Sequence, residues 1–210
     1  MKQLTILIMA LIISATGFAQ NNEIQLPDPI TTGGMPLMEV LKTRKSSREY
    51  SEQKIDNQTL SNLLWATFGY SRLDEKKRTA PTARNKQEFE IYCAMEDGLF
   101  LWNPERNVLT LILKDDIRAT TGGQDFVAKA PLNLIFVCNN DKLDSPLDDR
   151  QRKYVYVDTG YISENVYLYC ASAGLATVVR GHFDDATLTK AMQLPDNQWI
   201  VITQTVGYPK

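Results

Sequence analysis

Hydrophobic positions recur along this chain with two different periods, and the switches between them predict most of its elements. Leu60, Leu63, Leu64 and Phe68 stand at helical spacing between Asp56, a residue type that caps helix N-termini, and Gly69, which suits a helix end. Leu37, Val40 and Leu41 put an apolar face on an earlier helix starting at about Pro36. From about Asp148 to Ala173 the pattern is helical again. Tyr161, Val166, Tyr169, Cys170 and Ala173 form the expected buried stripe, and Gly174 the stop. Asp184 caps a further helix carrying Leu188, Ala191 and Met192, and a short helix is expected over Gln124–Lys129 before Pro131.

The remaining apolar runs are rich in β-branched and aromatic residues and read as strands: Phe89–Met95, Leu99–Trp102, Val108–Leu113, Leu132–Cys138, Ala176–Val179 and Trp199–Val206. Asp97-Gly98 and Asn103-Pro104 flank the second of these, so the first three form an antiparallel hairpin or meander. Arg72–Arg78 reads as a charged loop. Helices interrupt the strands throughout, which predicts one α+β domain over residues 36–210.

Residues 1–19 stand apart. Lys2, the apolar run Leu4–Ile13 and the small residues Gly17 and Ala19 have the order of a signal peptide, with cleavage after Ala19 or close by, so the mature protein is expected to be exported, periplasmic or secreted, and not inserted in a membrane. Residues 20–35, with their prolines, glycines and polar side chains, read as an extended lead-in outside the core. The 210 residues carry a formal net charge of -2, which gives no broad electrostatic attraction to nucleic acid or an anionic surface. The three cysteines all lie in apolar segments and read as core residues.

Several chemistries lack their parts. His182 is the single histidine, and no two cysteines have metal-ligand spacing, so zinc has almost no ligands to draw on. Asp148-Asp149 and Asp184-Asp185 stand where helix starts favour acids. There is no Gly-x-Ser-x-Gly elbow, no Gly-x-Gly-x-x-Gly fingerprint and no phosphate loop. One local anion site does stand out: Arg44-Lys45-Ser46-Ser47-Arg48 gathers three cations and two hydroxyls at a helix end, enough for charge-assisted bonds to a phosphate monoester, although such a run is also what a solvated surface looks like.

Read with three later segments, the cluster resembles the flavin-binding nitroreductase superfamily. Arg44-Lys45-Ser46-Ser47-Arg48-Glu49-Tyr50 resembles the family's Arg-Arg-Ser-x-Arg-x-Phe/Tyr element, which implies that Arg44, Lys45, Ser46 and Arg48 hold the phosphate and ribityl chain of FMN. Ala80–Phe89 resembles the Pro-Ser-x-x-Asn-x-Gln-Pro-Trp segment, so Pro81, Thr82 and Asn85 are implied to complete the site of a partner subunit. Asp158-Thr159-Gly160 through Asn165 to Gly174-Leu175 is similar to the central helix. Arg180-Gly181-His182-Phe183-Asp184 matches the Gly-Phe-Asp turn with one residue inserted, which puts backbone at Arg180 and Gly181 against the ring. Val206-Gly207-Tyr208-Pro209 resembles the terminal motif, followed by Lys210 as a further phosphate contact.

Gly98-Leu99-Phe100 with Asn103–Arg106, and Gly123–Val127 before Ala130-Pro131, point to the azoline dehydrogenase branch, with Gln124 facing the flavin's pyrimidine edge or capping a helix. Lys153-Tyr154 is read as helix surface and not as that branch's Lys-Tyr pair. The resemblance implies a nitroreductase-like fold with a mostly antiparallel sheet flanked by helices, a homodimer with shared flavin sites, and ping-pong exchange with a small-molecule electron donor and acceptor. It names no catalytic side chain. A flavin-free binding module on the same fold is the competing reading.

Overall fold

Strand β7, Leu132–Asn139, is buried from Leu132 to Cys138 and mostly apolar, because both of its faces are covered. Leu132, Leu134, Phe136 and Cys138 join one core cluster, and the intervening Ile135 and Val137 join a second on the other side of the sheet. That period-2 division organises the whole molecule.

The computed structural model describes residues 22–144 and 146–210; the expected signal peptide lies outside them. In chain order the elements are β1 (Glu23–Gln25), α1 (Leu37–Thr43), α2 (Asn57–Phe68), β2 (Tyr70–Arg72), β3 (Lys77–Arg78), β4 (Phe89–Met95), β5 (Gly98–Asn103), β6 (Val108–Leu113), β7, α3 (Asp149–Ala173), β8 (Ala176–Arg180), α4 (Asp185–Met192) and β9 (Gln198–Gly207). The main sheet has the order β1-β6-β5-β4-β7-β9-β8, antiparallel at every pairing. The α2 and α3 helices pack together over the larger cluster, and α4 contributes Leu188 and Met192 to the smaller.

The helix signals act as read. Asp56 accepts from the N–H groups of Gln58 and Thr59 at the start of α2. Asp184 accepts from Thr187 N at the start of α4. Gly174 ends α3 in the left-handed conformation, φ 71°, that glycine adopts most readily.

Five expectations need correction. The lead-in is extended, but it adds an edge strand, Glu23–Gln25 pairing with β6, and Leu26 is 1% exposed in the core. Gln124–Lys129 forms consecutive turns, since Pro131 leaves too little chain for a helix to grow past its nucleus. Arg72–Arg78 is not a plain loop, because Tyr70–Arg72 and Lys77–Arg78 pair as a small hairpin. The buried stripe of α3 runs through Val155, Asp158, Thr159, Ile162, Ser163, Val166, Tyr167 and Cys170, and Tyr161 and Ala173 face out. Of the apolar face on α1, only Val40 is buried. Leu37, Met38 and Leu41 are exposed, as are Tyr154, Val157 and Tyr161 of α3, against which α1 lies.

All three cysteines are free and buried. Burial pushes their thiols up, that of Cys138 to about 12, which rules them out as thiolate nucleophiles near neutral pH.

Candidate functional site

The basic segment leaves α1 in extended conformation and is tied down along its length. Ser47 N donates to Thr177 O of β8, Tyr50 Oη donates to Ser47 O at 2.6 Å, and Ser51 N donates to Tyr208 O. A bridge between Tyr50 and Pro209 brings the last residues of the chain alongside. Tyr167 of α3 is the organising side chain. Its hydroxyl lies 2.9 Å from Ser46 Oγ and accepts from Val179 N at 3.0 Å, while the Arg44 guanidinium sits 5.1 Å from its ring centroid.

Arg44 pairs with Glu164 at 3.9 Å. Lys45 and Arg48 are exposed and pair with no acid among the described residues. A cavity of about 230 Å³ behind the segment is lined by Lys45, Ser47, Tyr167, Thr177 and Pro209, and Lys210 is exposed next to it in sequence. The fold thus gathers Arg44, Lys45 and Ser46 at the edge of β8 and brings the Lys210 end of the chain to the same edge.

The resemblance gave Arg180 a role through its backbone, and the structure gives its side chain a place of its own. Its side chain is 4% exposed and runs into the core, where Nη1 donates to Thr121 O at 2.6 Å and Nη2 donates to Asn133 Oδ1 at 2.9 Å. No carboxylate pairs with it among the described residues, and burial brings its pKa down to about 10. The next residue, Gly181, is exposed.

Three buried side-chain polar atoms among the described residues have no hydrogen-bond partner: Arg180 Nε, Gln124 Oε1 and Glu88 Oε2. The first two flank Gly122. A Cβ there would lie 1.9 Å from Arg180 Nη1 and 3.0 Å from Gln124 Oε1, so glycine is what allows the loop to close over the guanidinium. Loop and basic segment are in contact, since the rings of Tyr50 and Phe126 meet at a tilt of 42° with 5.6 Å between centroids.

The second implied segment is elsewhere. Pro81 and Asn85 are exposed and Thr82 half-buried, in a turn tied to α3 by Ala83 N donating to Asp158 Oδ2 at 2.7 Å. Asp158 precedes Tyr167 by nine residues, roughly 13 Å of helix at the usual rise. Within one chain Pro81, Thr82 and Asn85 therefore do not meet Arg44–Arg48.

Sequence reasoning missed Tyr167, Asn133, Gly122 and the acids Glu88 and Asp158. Asn133 and Asp158 were visible as polar residues at positions where the hydrophobic period demands burial. Tyr167 had no such signal.

The family model described as the nitroreductase family matches residues 41–208. The chain belongs to that family. A protein of Methanocaldococcus jannaschii described as a nitroreductase is 32% identical over 185 residues, covering 83% of this chain and 91% of that one. A crystal structure of a nitroreductase from Ralstonia eutropha is 39% identical, with a TM-score of 0.85 and 90% of each chain covered. The Escherichia coli microcin synthetase complex with truncated precursor bound contains a chain of similar fold, at TM-score 0.69 and 15% identity, over 98% of this chain and 85% of that one. The fold is thus that of the nitroreductases, and family membership makes an oxidoreductase of this chain.

Proposed function

We propose that this nitroreductase-family chain is an FMN-dependent oxidoreductase acting as a homodimer, taking an electron donor and then an acceptor in one cleft. The observation that carries the reading is the Arg44–Arg48 segment: three cations and two hydroxyls fastened to β8 and Tyr167, two of the cations without an acid partner among the described residues. A phosphate monoester satisfies such a group by charge-assisted hydrogen bonds. The loop fits a flavin in kind, since Arg180 Nε offers a donor and Gln124 Oε1 an acceptor, both without internal partners, and a flavin ring edge carries carbonyls and an imide N–H. Both atoms are shut off from solvent here, so reaching them requires the Gly122–Gln124 loop to move.

When bound, FMN supplies hydride and electron transfer, which no side chain of this chain can. The protein's part is to hold and orient. Arg44, Lys45, Ser46, Arg48 and Lys210 grip the phosphate end, Gly181 and the backbone of Arg180 stand at the ring, and Pro81, Thr82 and Asn85 belong to the site of the other subunit. The exposed apolar side chains of α1 and α3, including Leu37, Met38, Leu41, Val157 and Tyr161, supply a face for a second copy. The segment Gly123–Val127 keeps a peptide azoline as an alternative substrate class beside quinones and nitro compounds, and residues 1–19 favour export of the mature chain.

The test is the visible spectrum of the chain purified without residues 1–19, before and after FMN is added, with its mass in solution. About one flavin per subunit in a dimer is expected. A colourless protein that ignores FMN overturns the reading in favour of a binding module.

A further inference from the structure

Beneath the Thr82–Gln87 segment lie two carboxyl groups withdrawn from water. Glu88 is 1% exposed and Asp158 3%, and their side chains stand within hydrogen-bonding reach of each other. Asp158 Oδ2 accepts from Ala83 N at 2.7 Å, and Glu88 Oε2 has no donor from any other group. Two buried carboxylates in contact cannot both be ionised without strong repulsion, so one proton belongs between them. Each accepts a backbone N–H, Asp158 from Ala83 and Glu88 from its own amide, but Glu88 is the more deeply buried and keeps Oε2 without a donor, so Glu88 is the holder of the proton.

The surroundings do little to neutralise a second charge. Lys142, from the turn after β7, is the cation facing the pair, and it stands 3.7 Å from Glu90. Cys138 of β7 faces it as a protonated thiol, and Glu90, two residues along β4, adds further negative charge on that side. Arg84 and Lys86 turn away to Asp144.

The segment above the pair is strained. Arg84, Asn85 and Gln87 have φ of 55°, 57° and 51°, three non-glycine residues in the left-handed region within four positions. Thr82 Oγ1 accepts from Gln87 N and Arg78 Nε donates to Gln87 Oε1, closing the turn on itself, while the tie to α3 is the Ala83–Asp158 bond.

We propose that Glu88 and Asp158 form a one-proton latch that positions this segment, holding Asn85 in place while the proton is shared and releasing Ala83 when it leaves. The latch rests on the chain's own geometry. Its consequence for the cofactor rests on the proposed role of Thr82 and Asn85. Burial, reinforced by Asp158, pushes the Glu88 carboxyl up to about 7 from its ordinary 4.5. Between those values the folded chain binds more protons than the unfolded one. The stability from this group is therefore complete below about 4.5 and is lost as pH rises through about 7.

The test is amide hydrogen exchange of a peptide spanning residues 80–88 in the mature chain, corrected for intrinsic rate, at pH 6 and pH 8.5. The wild type is expected to lose protection by about tenfold or more across that range, in proportion to deprotonation past a pKa near 7. Glu88→Gln, whose carboxamide donates to Asp158 without titrating, is expected to keep protection at both values. Asp158→Asn, which leaves no second charge to repel Glu88, is expected to remove the step as well and serves if Glu88→Gln fails to fold. A flat wild-type profile overturns the latch. FMN affinity over the same range reads the other half: a step in protection with flat, measurable affinity overturns the positioning of Asn85, and a step in protection without FMN binding at any pH upholds the latch while overturning the flavin reading.

Discussion

Segments Arg44–Tyr50 and Thr82–Gln87 are assigned to one site only by the proposed function, and they keep their shapes by different means. The first has no residue in the left-handed region, lies along the edge of β8, and exposes its charge to solvent. The second packs three left-handed non-glycine residues, each costing about 1–2 kcal/mol, onto a buried pair of acids. A segment whose work is electrostatic can remain exposed and relaxed, because charge acts through water as well as by contact. One that must offer a single amide group at a fixed place is held rigid, and rigidity of a strained turn requires buried partners.

The contrast predicts different responses to substitution. The largest effect belongs to Arg44→Ala with Arg48→Ala. Two lost charge-assisted bonds, about 1.5–3 kcal/mol each, raise the FMN dissociation constant by roughly a hundredfold or more, with little change in melting temperature because both side chains lie at the surface. Flavin fluorescence titration checks this, and the residual affinity should depend less on salt than that of the wild type. Unchanged binding would remove the phosphate from this segment.

Next comes Gly122→Ala, where the new Cβ meets Arg180 Nη1 and forces the guanidinium off Thr121 O and Asn133 Oδ1. A cost of about 2–4 kcal/mol lowers the melting temperature by roughly 5–10 °C in a domain of this size. A melt within a degree of the wild type would show that the loop is not locked over Arg180.

The smallest is Asn85→Gly. Relief of left-handed strain, partly offset by the freer unfolded chain, stabilises by about 0.5 kcal/mol, an upward shift of roughly 1–2 °C. FMN affinity should fall by several-fold in the same variant, since the side-chain amide is gone. Loss of stability instead would mean that Asn85 is held by its side chain and carries no strain.

How much of this was legible in the sequence can be judged from these same residues. Local signals worked wherever the determinant lay within one turn or one strand. Asp56, Asp184 and Gly174 mark helix ends by bonds to residues two to four positions away, and Phe89–Met95 is a strand by its own composition. The basic cluster was equally visible, being contiguous. The place of the Arg180 side chain was not legible, because it follows the strand alternation of β8 into the core and meets Thr121 and Asn133, both distant in sequence.

The sequence by itself determined the periods, the helix ends, the apolar strand β7 and the local concentration of charge at Arg44–Arg48, because each arises from residues close along the chain. Tertiary structure alone decided which polar groups meet. Ala83 and Asp158 are 75 positions apart, Arg180 and Thr121 59, and Ser46 and Tyr167 121. Pairings of that range depend on strand register and on how α3 lies across the sheet. A single residue of slip would turn each side chain to the opposite face, and no local pattern records the result.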